Sequence, residues 1–251
     1  MQDCVQQDEV QLICLSSSLS GWPTQLTFPE PSEVQVWVLS SALTDADLGT
    51  LSASLTPEES ERAQRYRFAK DKNQFMASRG LLRQLIGSYL GEDPRKIQLR
   101  LSAKAKPELS LISRGLDLRF NVAHSGALIL FAFTNGRRMG VDVEEVRNDF
   151  ETTEIAKRFF SSAEQEALRR LPASERHQAF FRCWTRKEAY IKAVGDGLSL
   201  PLDQFDVSLA DDDPPQLLQT RPDPAEADRW RMHNLTIANG YPAALVVEKI
   251  F

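Results

Sequence analysis

The predicted elements of this 251-residue chain run through one series twice, and that repetition most restricts what it can fold into. The first pass opens on an alternating strand pattern, Val34-Gln35-Val36-Trp37-Val38-Leu39. A helix start follows at Thr56-Pro57-Glu58-Glu59, with an N-cap residue, proline at the first helical position and acids in the first turn. A helical stretch from Asp71 to Leu90 ends at Gly91, and strands are expected around Ile97 to Leu101, Leu118 to Val122 and Leu128 to Phe133. The second pass begins with a strand at Val141 to Val146 and a helix start of capping-box spacing at Ser161-Ser162-Ala163-Glu164. A helix from about Arg176 to Val194 then ends near Gly195. A strand around Phe205 to Leu209 and a pair at Trp230 to Ile237 and Ala243 to Val247 close the series. Val36 and Val141, Phe75 and Phe181, and Ile97 and Phe205 recur at offsets of about 105 to 108 residues. The pattern predicts an α+β chain of two similar halves, residues 34–138 and 139–251, behind an N-terminal extension, residues 1–33. The Asp- and Pro-rich stretch Ala210 to Asp228 reads as surface loop.

Bulk properties narrow the class. With 42% hydrophobic and 26% charged residues, 12 Gly and 13 Pro, the chain has the composition of a soluble globular protein. A formal net charge of -5 excludes a generally basic nucleic-acid binder. Cys4, Cys14 and Cys183 are odd in number and lack metal-ligand spacing, which predicts a reduced, cytoplasmic chain without a disulfide framework. The apolar run Val10 to Leu15 is too short for a signal peptide or a membrane anchor, so the N-terminus is expected as a frayed or packed extension.

Two acidic stretches stand out. In Gly140-Val141-Asp142-Val143-Glu144 the two acids are two apart in a strand and emerge on one face. Alone, that pattern also fits an edge strand with an acidic solvent face. In Trp184-Thr185-Arg186-Lys187-Glu188-Ala189-Tyr190-Ile191-Lys192 helical spacing stacks Trp184, Glu188 and Lys192 on one face. Glu188 and Lys192 fit a surface i,i+4 pair, but so aromatic a helix faces protein. Three carboxylates from two elements suit Mg²⁺, which takes a few carboxylates plus water and substrate oxygens. His124, at a strand end entering a Gly turn, is placed to donate to a phosphate, as an ordinary structural histidine is also placed. Arg62, Arg65, Arg67, Lys70, Lys72, Arg79 and Arg83 face the single acid Asp71 between Arg62 and Arg83, a solvated helix face or a local site for an anion or acidic partner. No Gly-rich phosphate loop, zinc spacing or nucleophile elbow is present in the sequence.

Taken together, Lys106-Pro107, Phe120-Asn121-Val122-Ala123-His124-Ser125, Gly140 to Glu144, Phe159-Phe160-Ser161 and Trp184 to Lys192 resemble the 4′-phosphopantetheinyl transferases. Size and duplication are similar to the broad-range surfactin-synthetase (Sfp) type, with two α+β subdomains related by a pseudo-two-fold axis. The resemblance implies transfer of the phosphopantetheine arm of coenzyme A to a serine of apo acyl or peptidyl carrier proteins, releasing adenosine 3′,5′-bisphosphate. It implies Mg²⁺ on Asp142, Glu144 and Glu188, with Glu188 also as base, Lys192 at the departing phosphate and Glu164 as a secondary catalytic acid. Arg62, Arg79, Lys106 and His124 match coenzyme A positions. The family reading is a monomer without membrane or nucleic-acid partners, acting on carrier proteins that are themselves acidic. Two departures stand out: Ala123 replaces a serine of several relatives, and Gln74 and Phe75 occupy places where relatives put basic or hydroxyl residues. On the residues alone, a Mg²⁺-dependent nucleotide or pyrophosphate hydrolase and a non-catalytic carrier-docking relative remain open.

Overall fold

The structure is a computed structural model that describes residues 9–14, 22–102, 107–109, 116–195, 200–221 and 223–250. After the edge strand β1 (Glu9–Cys14), the N-terminal half runs β2 (Glu33–Ser40), α1 (Asp45–Ser52), α2 (Pro57–Gln64) and α3 (Ala69–Leu90). It continues through β3 (Leu99–Leu101), β4 (Pro107–Leu109), β5 (Leu118–Ser125) and β6 (Leu128–Asn135). The C-terminal half repeats the series as β7 (Met139–Val143), α4 (Thr152–Phe159), α5 (Ser162–Arg170) and α6 (Ala173–Val194), then β8 (Phe205–Val207), β9 (Leu217–Thr220), β10 (Trp230–Asn234) and β11 (Ala243–Glu248).

The local chemistry explains why the series matches. α2 and α5 each start on a capping box, Thr56 with Glu59 and Ser161 with Glu164, which satisfies backbone N–H groups that the first turn leaves open. α3 and α6 are both 22 residues long and stop at Gly91 (φ 64°) and Gly195 (φ 84°), left-handed positions that glycine adopts without a Cβ penalty.

The main sheets share an order too. One is β1-β2-β6-β5 and the other β10-β11-β7, so each half places its first strand beside its fifth and its fifth beside its fourth. All these pairs are antiparallel except β1 with β2. Alternation along β2 sends Trp37 and Leu39 into a core with Leu81 and Leu85 of α3, while Val34, Val36 and Val38 pack with Met139, Val141, Leu245 and Val247 of the second sheet. A third cluster joins Phe180, Tyr190 and Ile191 of α6 to Phe205, Trp230 and Val246. The result is two sheets face to face, with one long helix over each outer face.

Three expectations change. β1 adds to the first sheet as a parallel edge strand, registering Val10 on Val34, so part of the expected extension packs as sheet. Ala210 to Asp228 is more ordered than its composition implies: it contains β9, paired with β8, and a 3₁₀ turn at Pro224–Arg229. The strand expected from Ile97 begins at Leu99, because a 3₁₀ turn at Pro94–Lys96 occupies the approach.

Candidate active site

β7 and α6 carry the acidic site, and the distance between them is set by a glycine. A Cβ on Gly140 would lie 2.2 Å from the Ala189 carbonyl oxygen and 2.4 Å from Ala193 N, so only hydrogen lets the helix backbone lie directly on the strand. Two residues on, Asp142 faces the same helix. It is buried, its Oδ1 accepts from Lys192 Nζ at 2.7 Å, and its Oδ2 has no hydrogen-bond partner among the described residues. Lys192 Nζ also donates to the Val141 carbonyl (3.2 Å).

The three carboxylates act on one another. Burial pushes Asp142 up to about 6, against the pull of Lys192 and with a further push from Glu188. Glu144 is raised by burial and then by Asp142, and Glu188 by burial and by Glu144, with Lys192 opposing both. This mutual influence sets all three around one space. They do not close into a ligand cage: among the described residues no three His, Cys, Asp or Glu side chains form a metal-binding group. A buried carboxylate oxygen without a partner, amid acids whose ionisation is disfavoured, fits a divalent cation as the missing charge.

A cleft of about 270 Å³ adjoins this site, lined by Tyr66, Gln74, Phe75, Arg79, Val122 and His124 among others. The Gln74 amide nitrogen lies 3.2 Å from His124 Nδ1. The donor and acceptor roles of this pair follow the ring tautomer. Burial and the Lys192 charge lower the His124 pKa, which keeps the ring neutral. The Phe75 ring lies between two guanidinium groups, with Arg62 at 5.1 Å and Arg79 at 5.8 Å from its centroid. A larger cavity, about 540 Å³, lies at the far ends of β5, β7 and α6 among Phe120, Met139 and Val194; Asp142, Glu144 and Glu188 line neither it nor the cleft.

Comparison with known proteins fits this geometry. The profile described as "4'-phosphopantetheinyl transferase superfamily" matches residues 138–246, and "4'-phosphopantetheinyl transferase, N-terminal" matches residues 43–135. The chain is 37% identical to "4'-phosphopantetheinyl transferase HetI" of Nostoc sp. over 86% of its own length and 87% of that protein. This chain belongs to the 4′-phosphopantetheinyl transferase superfamily. It is also 33% identical to "4'-phosphopantetheinyl transferase Sfp" of Bacillus subtilis, over 63% of this chain and 68% of that one. The human "L-aminoadipate-semialdehyde dehydrogenase-phosphopantetheinyl transferase" is 31% identical over 62% of this chain and 53% of its own.

Within this transferase the expected site residues divide. Asp142, Glu144, Glu188, Lys192 and His124 stand in one electrostatic neighbourhood. Arg62 and Arg79 flank Phe75 beside it, with Arg79 also 3.4 Å from Glu59. Lys106 lies outside the described residues. Glu164, expected as a secondary catalytic acid, lies inside the protein among hydrogen-bond donors of the frame. Only 2% exposed, it accepts from Lys187 Nζ on both oxygens (2.6 and 2.7 Å), from Val207 N on Oε1 and from Ser161 N on Oε2. Those three donors make four hydrogen bonds that occupy both oxygens inside the protein core.

Sequence reasoning missed the residues that hold the site groups. Ser125 donates to Glu144 Oε2 (2.8 Å) and accepts from Glu145 N (3.0 Å), tying the β5–β6 turn of one half to an acid of the other. Asn121 Oδ1 accepts from Val141 N, and Tyr241 donates to Glu145. Polar residues beside turns are common, and only Asn121, inside an apolar strand, carried a signal that could have found it.

Proposed function

We propose that this transferase moves the 4′-phosphopantetheine arm of coenzyme A onto a serine of apo carrier proteins, with Mg²⁺ held by Asp142, Glu144 and Glu188. The observation that carries the reading is the buried, unpartnered Asp142 Oδ2, set among three raised carboxylates beside a cleft lined by His124 and Arg79. Bound there, Mg²⁺ would neutralise the pyrophosphate and polarise the phosphorus under attack.

The chain's own residues supply the rest. His124, held by Gln74, donates from its ring to a phosphate oxygen, and the guanidinium groups of Arg62 and Arg79 add positive charge along the cleft. The serine Oγ forms a new P–O bond as the bond to adenosine 3′,5′-bisphosphate breaks. Glu188 takes the serine proton, directly or through a water; its raised pKa brings its basicity closer to the working pH than an ordinary carboxylate's. Lys192 faces the charge that builds on the departing phosphate. The acceptor oxygen comes from the carrier serine, and no side chain of this protein becomes covalently modified. A helix long and apolar enough to cross a membrane is absent among the described residues.

Intact-mass measurement of apo acyl and peptidyl carrier domains, incubated with the enzyme, coenzyme A and Mg²⁺, tests the reading. The expected result is a mass gain of one phosphopantetheinyl group on the carrier serine, abolished by EDTA. Bisphosphate release without carrier, and no mass gain with it, would replace transfer by hydrolysis.

A further inference from the structure

We infer that the acceptor protein docks on the exposed face around Phe68, presenting acidic side chains around an apolar patch. The inference rests on the transfer reaction above and names the surface that brings the acceptor to it.

Phe68 is the N-cap of α3, a position where a short polar side chain would satisfy backbone donors, and it makes no side-chain cap hydrogen bond. Its side chain is turned outward instead: Phe68 is 61% exposed, ahead of Leu218, Leu12 and Ile250, the other exposed large apolar residues among the described residues. A single exposed apolar residue is ordinary. What sets Phe68 apart is its setting. Arg62, Arg65, Arg67, Lys70 and Lys72 surround it in sequence against one acid, Asp71, in a chain of net charge -5. Arg65 is offset by Glu61 at 2.7 Å, whereas the Arg67 guanidinium lies 5.4 Å from the Phe68 ring centroid and leaves its charge beside the ring. An aromatic ring with cations around it matches a protein surface that is apolar at its centre and acidic at its edge. A small anion has no use for the ring.

The position supports the same occupant. Phe68 lies outside the lining of the cleft, but Tyr66 and Asp71 on either side of it belong to that lining. Gln74, which holds His124, is six residues further along α3, about 9 Å of helix rise. A protein seated on Phe68 therefore stands at the lip of the cleft, where its serine must arrive.

Steady-state kinetics with an apo carrier domain that the wild-type enzyme loads provide the test, using Phe68→Ser and, separately, Arg67→Glu with Lys70→Glu. Both changes are on the exposed surface, and thermal melts confirm the fold of each variant. For each, kcat/KM for the carrier is expected to fall about tenfold or more, with KM for coenzyme A unchanged. Added salt should weaken the wild type more than the charge-reversed variant. Unchanged carrier kinetics in both variants, or a rise in the KM for coenzyme A in place of the carrier effect, would overturn the docking assignment alone. A wild type that modifies no carrier domain would overturn the transfer reading and the docking surface together.

Discussion

Beneath α3 the strand face of the N-terminal half is filled: Trp37 and Leu39 are buried there, Trp37 Nε1 donates to Tyr89 Oη at 2.8 Å, and Tyr89 donates to Gln35. Beneath α6 the matching strand positions of the C-terminal half are Asp142 and Glu144, with Gly140 in the place of Gln35. Counted back from the cap glycines, Gln84 and Ser88 of α3 stand where α6 carries Glu188 and Lys192. Yet one device is common to both halves. The capping-box Glu59 receives Arg83 Nε at 2.6 Å, and Arg83 also donates to the Ile97 carbonyl. The capping-box Glu164 receives Lys187 at 2.6 Å, and Lys187 also donates to the Phe205 carbonyl. A brace kept in the half that lacks the acids belongs to the frame. The halves differ where apolar filling gives way to charge on a single strand and helix face.

That division can be broken by mutation. Glu188→Gln is expected to lower kcat by about 10²–10⁴-fold with the melt preserved, because a base is lost and the shape is not. At the matching site Gln84→Ala should leave turnover alone and cost about 1 kcal/mol, the hydrogen bond that Gln84 makes to Ser54. Comparable rate losses in both would mean that the N-terminal half shares the chemistry.

Removing Lys187 takes the cation from Glu164, whereas removing Arg83 leaves Glu59 with Arg79 at 3.4 Å. Lys187→Met is expected to cost about 3–5 kcal/mol in denaturant titration, with partial recovery in the double variant Lys187→Met/Glu164→Gln. Arg83→Met should cost less, since the Glu59 side chain is 15% exposed against 2% for Glu164. Equal costs would remove the distinction between a sealed and a partly wetted brace.

A smaller effect separates the acids from the brace by pH. The folded-state pKa of Asp142 lies near 6, above its ordinary 3.8, so the folded protein holds that proton more tightly than the unfolded chain. Its contribution to stability is complete below about pH 4 and is lost as pH rises through about 6, on the order of 2–3 kcal/mol in metal-free buffer. Asp142→Asn should flatten that decline in urea titrations with EDTA present. Saturating Mg²⁺ should flatten it in the wild type, since a ligand of the folded state alone stabilises it. A decline that neither change affects would assign the pH dependence to other groups.

Much of the frame was legible because it is written in local chemistry. Thr56 and Ser161, Gly91 and Gly195 are cap residues whose roles follow from a few neighbours, and they recur in step. The acids were legible as anomalies, carboxylates in apolar stretches. Partners were not: a capping box accounts for one oxygen of Glu164 and leaves the other to be claimed by whichever cation the fold brings, here Lys187. β1 was hidden as well, since an exposed edge strand carries little of the alternation that marks a half-buried one.

The missing side chain at Gly140 has a consequence for how this enzyme tolerates change. Main chain touches main chain there, so the gap separating the acid-bearing strand from the helix that answers it is fixed by atoms every amino acid possesses. Neighbouring apolar residues are therefore free to drift in size over evolutionary time while Asp142 and Lys192 keep their spacing, provided that single position stays bare.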